Sequence, residues 1–179
     1  MARVGGSAIT QSDVEAALRL GLIEAEGKDA LAQATERTIE RRLILAEVAR
    51  FPPPEPSDAA INEQVAKMKA RAGAGYASLL QGTGLDEQRV RDLARDTLRI
   101  QAYLDQRFGA STQVSAQNAR DYFEAHREEF ARNGVVPVFE EVEAAARQAV
   151  SLERRRASVA RWLDDLRARG NVVPLTPRP

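Results

Sequence analysis

The sequence predicts a mainly α-helical fold, and three observations carry that prediction. Apolar residues recur at three- to five-residue steps almost throughout, close to the period of one helix face. Extended character is confined to the two ends, Arg3 to Ile9 and Val172 to Leu175. Between them, Ser, Thr, Asp, Gly and Pro fall where helices start and stop.

The elements follow in order. Arg3-Val4-Gly5-Gly6-Ser7-Ala8-Ile9 reads as a short extended piece with a Gly-Gly turn. Thr10 with Asp13 three residues later matches a capping box, so a helix is expected from Gln11 to near Gly27, with Val14, Ala17, Leu18 and Leu22 on one face. A second helix is expected from Asp29 to Arg50 on Leu31, Ala34, Ile39, Leu43, Ala46 and Phe51. Pro52-Pro53-Pro54-Glu55-Pro56 then forms a stiff spacer, because proline lacks the amide donor and biases its predecessor away from helix.

Ser57 caps a third helix striped by Ile61, Val65, Met68 and Ala72. Gly73-Ala74-Gly75 breaks it, Tyr76 to Gln81 forms a short helix, and Gly82-Thr83-Gly84 breaks the pattern again. A long helix runs from Leu85-Asp86 to Phe108, and Ser115 caps another that continues through Tyr122, Phe123, His126 and Phe130. Phe139 to Arg169 is the longest helix, with Val142, Ala146, Ala149, Leu152, Val159, Leu163 and Leu166 spaced near 3.5 residues and Gly170 placed just past its end. Lone strands do not survive in water, so Arg3-Val4 is expected to pair with Val172-Val173, which brings the last helix back to the N-terminal segment.

Composition narrows the chemistry. The formal net charge is zero, which removes any bulk attraction to nucleic acid or anionic lipid. The run Arg154-Arg155-Arg156 is balanced by Glu153, Asp164 and Asp165 and reads as a solvated helix face. There is no cysteine, so disulfides, thiolate metal sites and cysteine nucleophiles are excluded. His126 is the single histidine, which leaves no paired-imidazole zinc site; near Phe123 and Phe130 it is expected to pack or cap a helix. Gly73-x-Gly75 follows a helix and lacks a third glycine, so it reads as a joint and not a phosphate loop. No apolar run approaches the roughly 18 residues of a membrane span, and Met1 to Gly6 carries no signal-peptide core. The expectation is a binding protein, not an enzyme, with no metal and no cofactor.

The order of the pieces resembles a known family. Val4-Gly5-Gly6-Ser7-Ala8-Ile9-Thr10-Gln11-Ser12-Asp13-Val14 is similar to the opening of mature SurA-type periplasmic chaperones and their PpiC-like relatives. The similarity continues through Arg42 to Ala49, Ser57 to Ile61, Leu79 to Asp86, Leu98 to Leu104, Tyr122 to Phe130 and Phe139 to Arg167. In that family parvulin-type prolyl isomerase modules separate the equivalents of Phe130 and Phe139. Here only Ala131 to Val138 lie between them, too few for a folded domain, so isomerase activity is expected to be absent.

The resemblance implies one helical chaperone domain over residues 1–179, of the SurA N-terminal or trigger-factor peptide-binding type. Residues 1–130 would form the helical core, 131–138 a loop in place of the isomerase module, and 139–175 the completing helix and strand. It further implies an ATP-independent holdase for unfolded or extended polypeptide clients in the periplasm, with any export segment removed or lying upstream. Nucleic acid and direct membrane insertion are not expected, and a homo-oligomer is left open. Short glycine-flanked helices bearing Leu, Met and Tyr can offer apolar surface to a client. On that basis Met68, Tyr76, Leu79, Leu80, Phe123 and Trp162 are the expected peptide-contact residues. A second reading is a structural or assembly subunit that binds one dedicated partner or itself.

Overall fold

A computed structural model describes residues 2–4, 6–109, 114–170 and 173–174. The expected Val172 and Leu175 of the terminal strand, and the tail from Thr176 to Pro179, lie outside them. The protein is mainly helical, as the periodicity predicts, with one small sheet. Its elements are β1 (Ala2–Val4), β2 (Ser7–Ile9), α1 (Gln11–Arg19), α2 (Ala30–Arg50), α3 (Asp58–Ala72), α4 (Tyr76–Thr83), α5 (Glu87–Phe108), α6 (Ala116–Ala125), α7 (Phe139–Arg169) and β3 (Val173–Pro174). Among the described residues, no helix is long and apolar enough to cross a membrane.

The chain divides into two compact units, Met1–Tyr103 with Leu163–Pro179, and Leu104–Trp162. Helices α5 and α7 each contribute residues to both.

In the first unit, the sheet has the order β2-β1-β3. Strand β1 pairs antiparallel with β3, Ala2 opposite Pro174 and Arg3 opposite Val173. It also pairs with β2, Val4 opposite Ser7, so the N-terminal piece is a hairpin and the sheet has one strand more than the expected two-stranded pairing. The return of α7 is fixed by Arg167, whose Nη2 reaches Glu40 at 2.8 Å and Glu36 at 3.1 Å on α2. Gly170 sits against Leu43 so closely that an added Cβ would lie 2.7 Å from Leu43 Cδ2 and from the Leu166 carbonyl oxygen.

Caps form where the side chains predict them. Thr10 and Asp13 make the reciprocal box, with Asp13 N donating to Thr10 Oγ1 at 3.1 Å and Thr10 N to Asp13 Oδ2 at 2.8 Å. Ser57 Oγ accepts from Ala60 N at 3.2 Å, and Ser115 Oγ from Asn118 N at 3.1 Å. Helix α1 stops at Arg19, well before the expected Gly27, because Gly21 takes a left-handed φ of 68° that lets the chain leave the helix. Leu20 and Ile23 remain buried in the irregular segment that follows. On α4 it is Gly84, at φ 70°, and not Gly82, that ends the helix.

The face of α2 also differs from the expected stripe. Ala34, Thr38, Ile39, Leu43, Ile44 and Val48 are buried, while Leu31 and Phe51 are 63% and 61% exposed and Ala46 is exposed. Leu31 and Phe51 lie at the helix ends, where the packed face has run out. The aliphatic core of this unit consists of Leu20, Ile61, Met68, Leu79, Val90 and Ala94, flanked by Leu22, Leu85, Leu93 and Leu98 among others.

The second unit has a different core. Ala119, Phe123, Phe139, Val142 and Ala146 are buried together, with Val114, Phe130 and Val136 packed around them. Helix α6 ends at Ala125 and not at Phe130, and a 3-10 turn over Arg127–Phe130 turns Phe130 onto Phe123 at 5.5 Å between centroids. Residues 131–138 hold a tight turn in which Arg132 bridges Val135 through Asn133 and Gly134, both at positive φ. On α7, Leu152 breaks the expected seam by lying exposed, while Val150 beside it is buried.

Candidate functional site

The first unit contains a cleft of about 130 Å³ bounded by α1, α2, α5 and the segments after α1 and before α5. Its apolar wall is made by Leu22, Leu45, Leu85 and Leu93 beside Ala16 and Ala17, and of these Leu22, Leu85 and Leu93 also pack on the aliphatic core. Three arginines and three aspartates also line it: Arg41, Arg42, Arg89, Asp13, Asp92 and Asp96.

The position of Arg41 follows from α2 itself. Thr38, Arg41 and Leu45 fall at i, i+3 and i+7, on one face of the helix. Thr38 is buried and satisfies its hydroxyl on the Ala34 carbonyl at 2.8 Å. Arg41 Nη2 donates to Thr97 Oγ1 at 2.9 Å and to the Leu93 carbonyl at 3.2 Å, both on α5. Burial pulls its guanidinium down to about 10, opposed by the charge of Asp96 and reinforced by Arg42. It stays cationic at neutral pH. Burial likewise pushes the Asp96 carboxyl upward, against the attraction of Arg41, Arg99 and Arg89.

The other two carboxylates have local work. Asp13 Oδ2 is held by the Thr10 amide and hydroxyl, each at 2.8 Å. Asp92 Oδ1 accepts from Arg95 at 2.8 Å and from Gln88 at 3.1 Å. Such an arrangement can take an apolar group against the leucines with fixed charges beside it. It presents no nucleophile paired with a base.

The six expected peptide-contact residues fare differently. Met68, Tyr76, Leu79 and Leu80 do come together, but Met68 and Leu79 are 1% exposed and form the aliphatic core. Tyr76 and Leu80 are half-buried against that core. The Tyr76 hydroxyl donates to Glu87 at 3.1 Å, and burial together with that carboxylate pushes its pKa up to about 12. Phe123 and Trp162 belong to the second unit and are 2% and 6% exposed. Phe123 packs on Phe130 and Phe139, and Trp162 meets Phe108 edge-on at 5.5 Å under the Arg107 guanidinium. These four buried side chains are corrected to core positions: a regular apolar stripe marks the packed face before it marks a surface.

His126 caps α6. Its amide donates to the Tyr122 and Phe123 carbonyls, its ring stacks on Tyr122 at 4.2 Å, and Nδ1 lies 2.9 Å from Glu129 Oε1. Both expected roles, capping and packing, are present.

Sequence reasoning passed over the cleft. The signal it held was a charged residue, Arg41, at a spacing that continues an apolar stripe, with Asp92 and Asp96 one turn apart on the facing helix. The chain matches no protein-family model, no curated protein and no solved structure.

Proposed function

We propose that the chain is an ATP-independent holdase-type chaperone for unfolded or extended polypeptides in the cell envelope, without prolyl isomerase activity. The observation that carries this reading is the antiparallel pairing of Arg3 with Val173. It unites the N-terminal helices with the end of α7 in one unit, the connectivity that the resemblance to SurA-type chaperones implies once the isomerase module is removed. The short Arg132–Val135 turn in place of that module is in keeping with it.

The mechanism is binding without reaction. A cleft of about 130 Å³ takes one side chain at a time, since a cavity of roughly 150 Å³ is filled by benzene. Single-side-chain contacts of this kind are weak and tolerant of sequence, which suits release without an energy source. With Met68, Leu79, Phe123 and Trp162 committed to cores, the available apolar contacts are the cleft wall, Leu31 and Phe51 in the first unit, and Val135, Val138 and Leu152 in the second.

Light scattering of a chemically unfolded client diluted into buffer tests the reading. Suppression at stoichiometric protein is expected, across several unrelated clients. No suppression removes the holdase, and suppression confined to one client favours the dedicated assembly subunit. Turnover of a prolyl peptide is expected to stay at the uncatalysed rate.

A further inference from the structure

The charges lining the first unit's cleft are not equally engaged. Asp13 is held by Thr10, Asp92 by Arg95 and Gln88, and Arg41 by Thr97 and the Leu93 carbonyl while facing Asp96. Arg42 on α2 and Arg89 on α5 line the same cleft as Asp96, and among the described residues none of these three charged groups makes a side-chain hydrogen bond or a salt bridge, although Arg89, like Arg41, attracts the Asp96 carboxylate. Two arginines without a salt bridge therefore share a small cleft with a leucine wall, and the single such carboxylate there, Asp96, is already offset by buried Arg41.

We propose that this cleft receives the free C-terminal residue of a polypeptide, its apolar side chain against Leu22, Leu45, Leu85 and Leu93 and its carboxylate on Arg42 and Arg89. The proposal rests on the holdase reading and deepens it by naming the part of a client that is held. Guanidinium groups match carboxylates in charge and in planar geometry. The leucine wall demands an apolar group bonded close to that carboxylate. An internal Asp or Glu has no such group next to its carboxylate, whereas a C-terminal leucine or phenylalanine carries both on one Cα. The volume fits a single side chain and not a long acyl tail.

Fluorescence anisotropy with an N-terminally labelled hexapeptide ending in leucine tests the idea. The free acid is expected to bind about tenfold more tightly than its C-terminal amide, the effect of about one charge-assisted hydrogen bond. The double variant Arg42→Gln/Arg89→Gln is expected to erase that difference while keeping the wild-type circular dichroism and Trp162 fluorescence. Equal binding of acid and amide overturns the proposal, as does an acid preference that survives in the double variant. Displacement of the peptide by an equal concentration of hexanoate also overturns it, because the ligand is then a free small acid.

Aggregation suppression measured on the same preparations separates the two claims. A wild type that suppresses aggregation but ignores the C-terminal carboxylate sinks the cleft proposal alone. A wild type that prefers the acid but suppresses nothing supports the cleft and overturns the holdase.

Discussion

The two units reach stability with different materials. Of the nine aromatic residues in the chain, six lie between Leu104 and Trp162, where Phe123, Phe130 and Phe139 pack ring to ring and Phe108 meets Trp162. The other unit fills its core with Leu, Ile, Val, Met and Ala. It draws on residues far apart in sequence, joining β1 to β3 and α2 to the end of α7. The aromatic unit closes over short sequence distances, and large rings bury much apolar area with few residues, which lets so short a segment hold a core. The aliphatic unit depends instead on long-range closure, which costs chain entropy before it returns any contact.

Breaking the aromatic unit is expected to have the largest effect. Phe123→Ala removes the ring that touches both Phe130 and Phe139 and is expected to cost about 3–5 kcal/mol. The sole tryptophan, Trp162, lies in that unit, so urea unfolding followed by its fluorescence reads the loss directly. Met68→Ala in the aliphatic unit is expected to cost about 2–4 kcal/mol. Amide hydrogen exchange is its readout, with protection lost first in α3, α4 and α5. If Met68→Ala lowers the Trp162 transition as much as Phe123→Ala does, the two units unfold as one and their cores are not independent.

A smaller effect is expected from Arg167→Ala, which leaves Glu36 and Glu40 without their shared cation. A loss of about 1 kcal/mol is expected in chemical denaturation, because the pairs are partly exposed. Exchange should quicken at the ends of α7 and in β1, leaving α6 unchanged.

The smallest predicted effect is acid sensitivity. Glu87 is held below the usual carboxylate range chiefly by Lys69, and Glu140 chiefly by its own backbone amide with help from Arg120. A lowered carboxylate pKa contributes stability that is full above the unfolded value, about 4.3, and is lost as pH falls through the folded value. The contribution of Glu87 and Glu140 to the melting temperature should therefore decline below roughly pH 4.3 and be flat just above it, while Asp96, raised by burial, works in the opposite direction. Glu87→Gln should flatten the decline in the aliphatic unit, and Glu140→Gln in the aromatic one.

How much of this was legible in the sequence depended on how local the controlling interaction is. Thr10 with Asp13, Ser57 and Ser115 announced helix starts because a cap is settled within four residues. The meeting of the two strands was legible because each alone is unstable in water. The end of α1 was not, since Leu22 continues a helical spacing past Gly21 and only burial of Leu20 and Ile23 outside the helix reveals the stop. For the site, spacing showed that Met68 and Leu79 face something apolar. It carried no information on whether that is a core or a client, because both present the same period. The Arg41 cleft escaped notice because its parts come from segments more than 50 residues apart, Arg41 to Leu93 and Thr97.

The discontinuity of the first unit has a consequence for synthesis. Residues 104–162 emerge from the ribosome as a complete aromatic core, while the earlier 103 residues still lack strand β3 and the Arg167 clasp. Domains close as their contacts become available during translation. Residues 104–162 are therefore expected to fold first, while the residues before them wait, incomplete, for strand β3 to emerge.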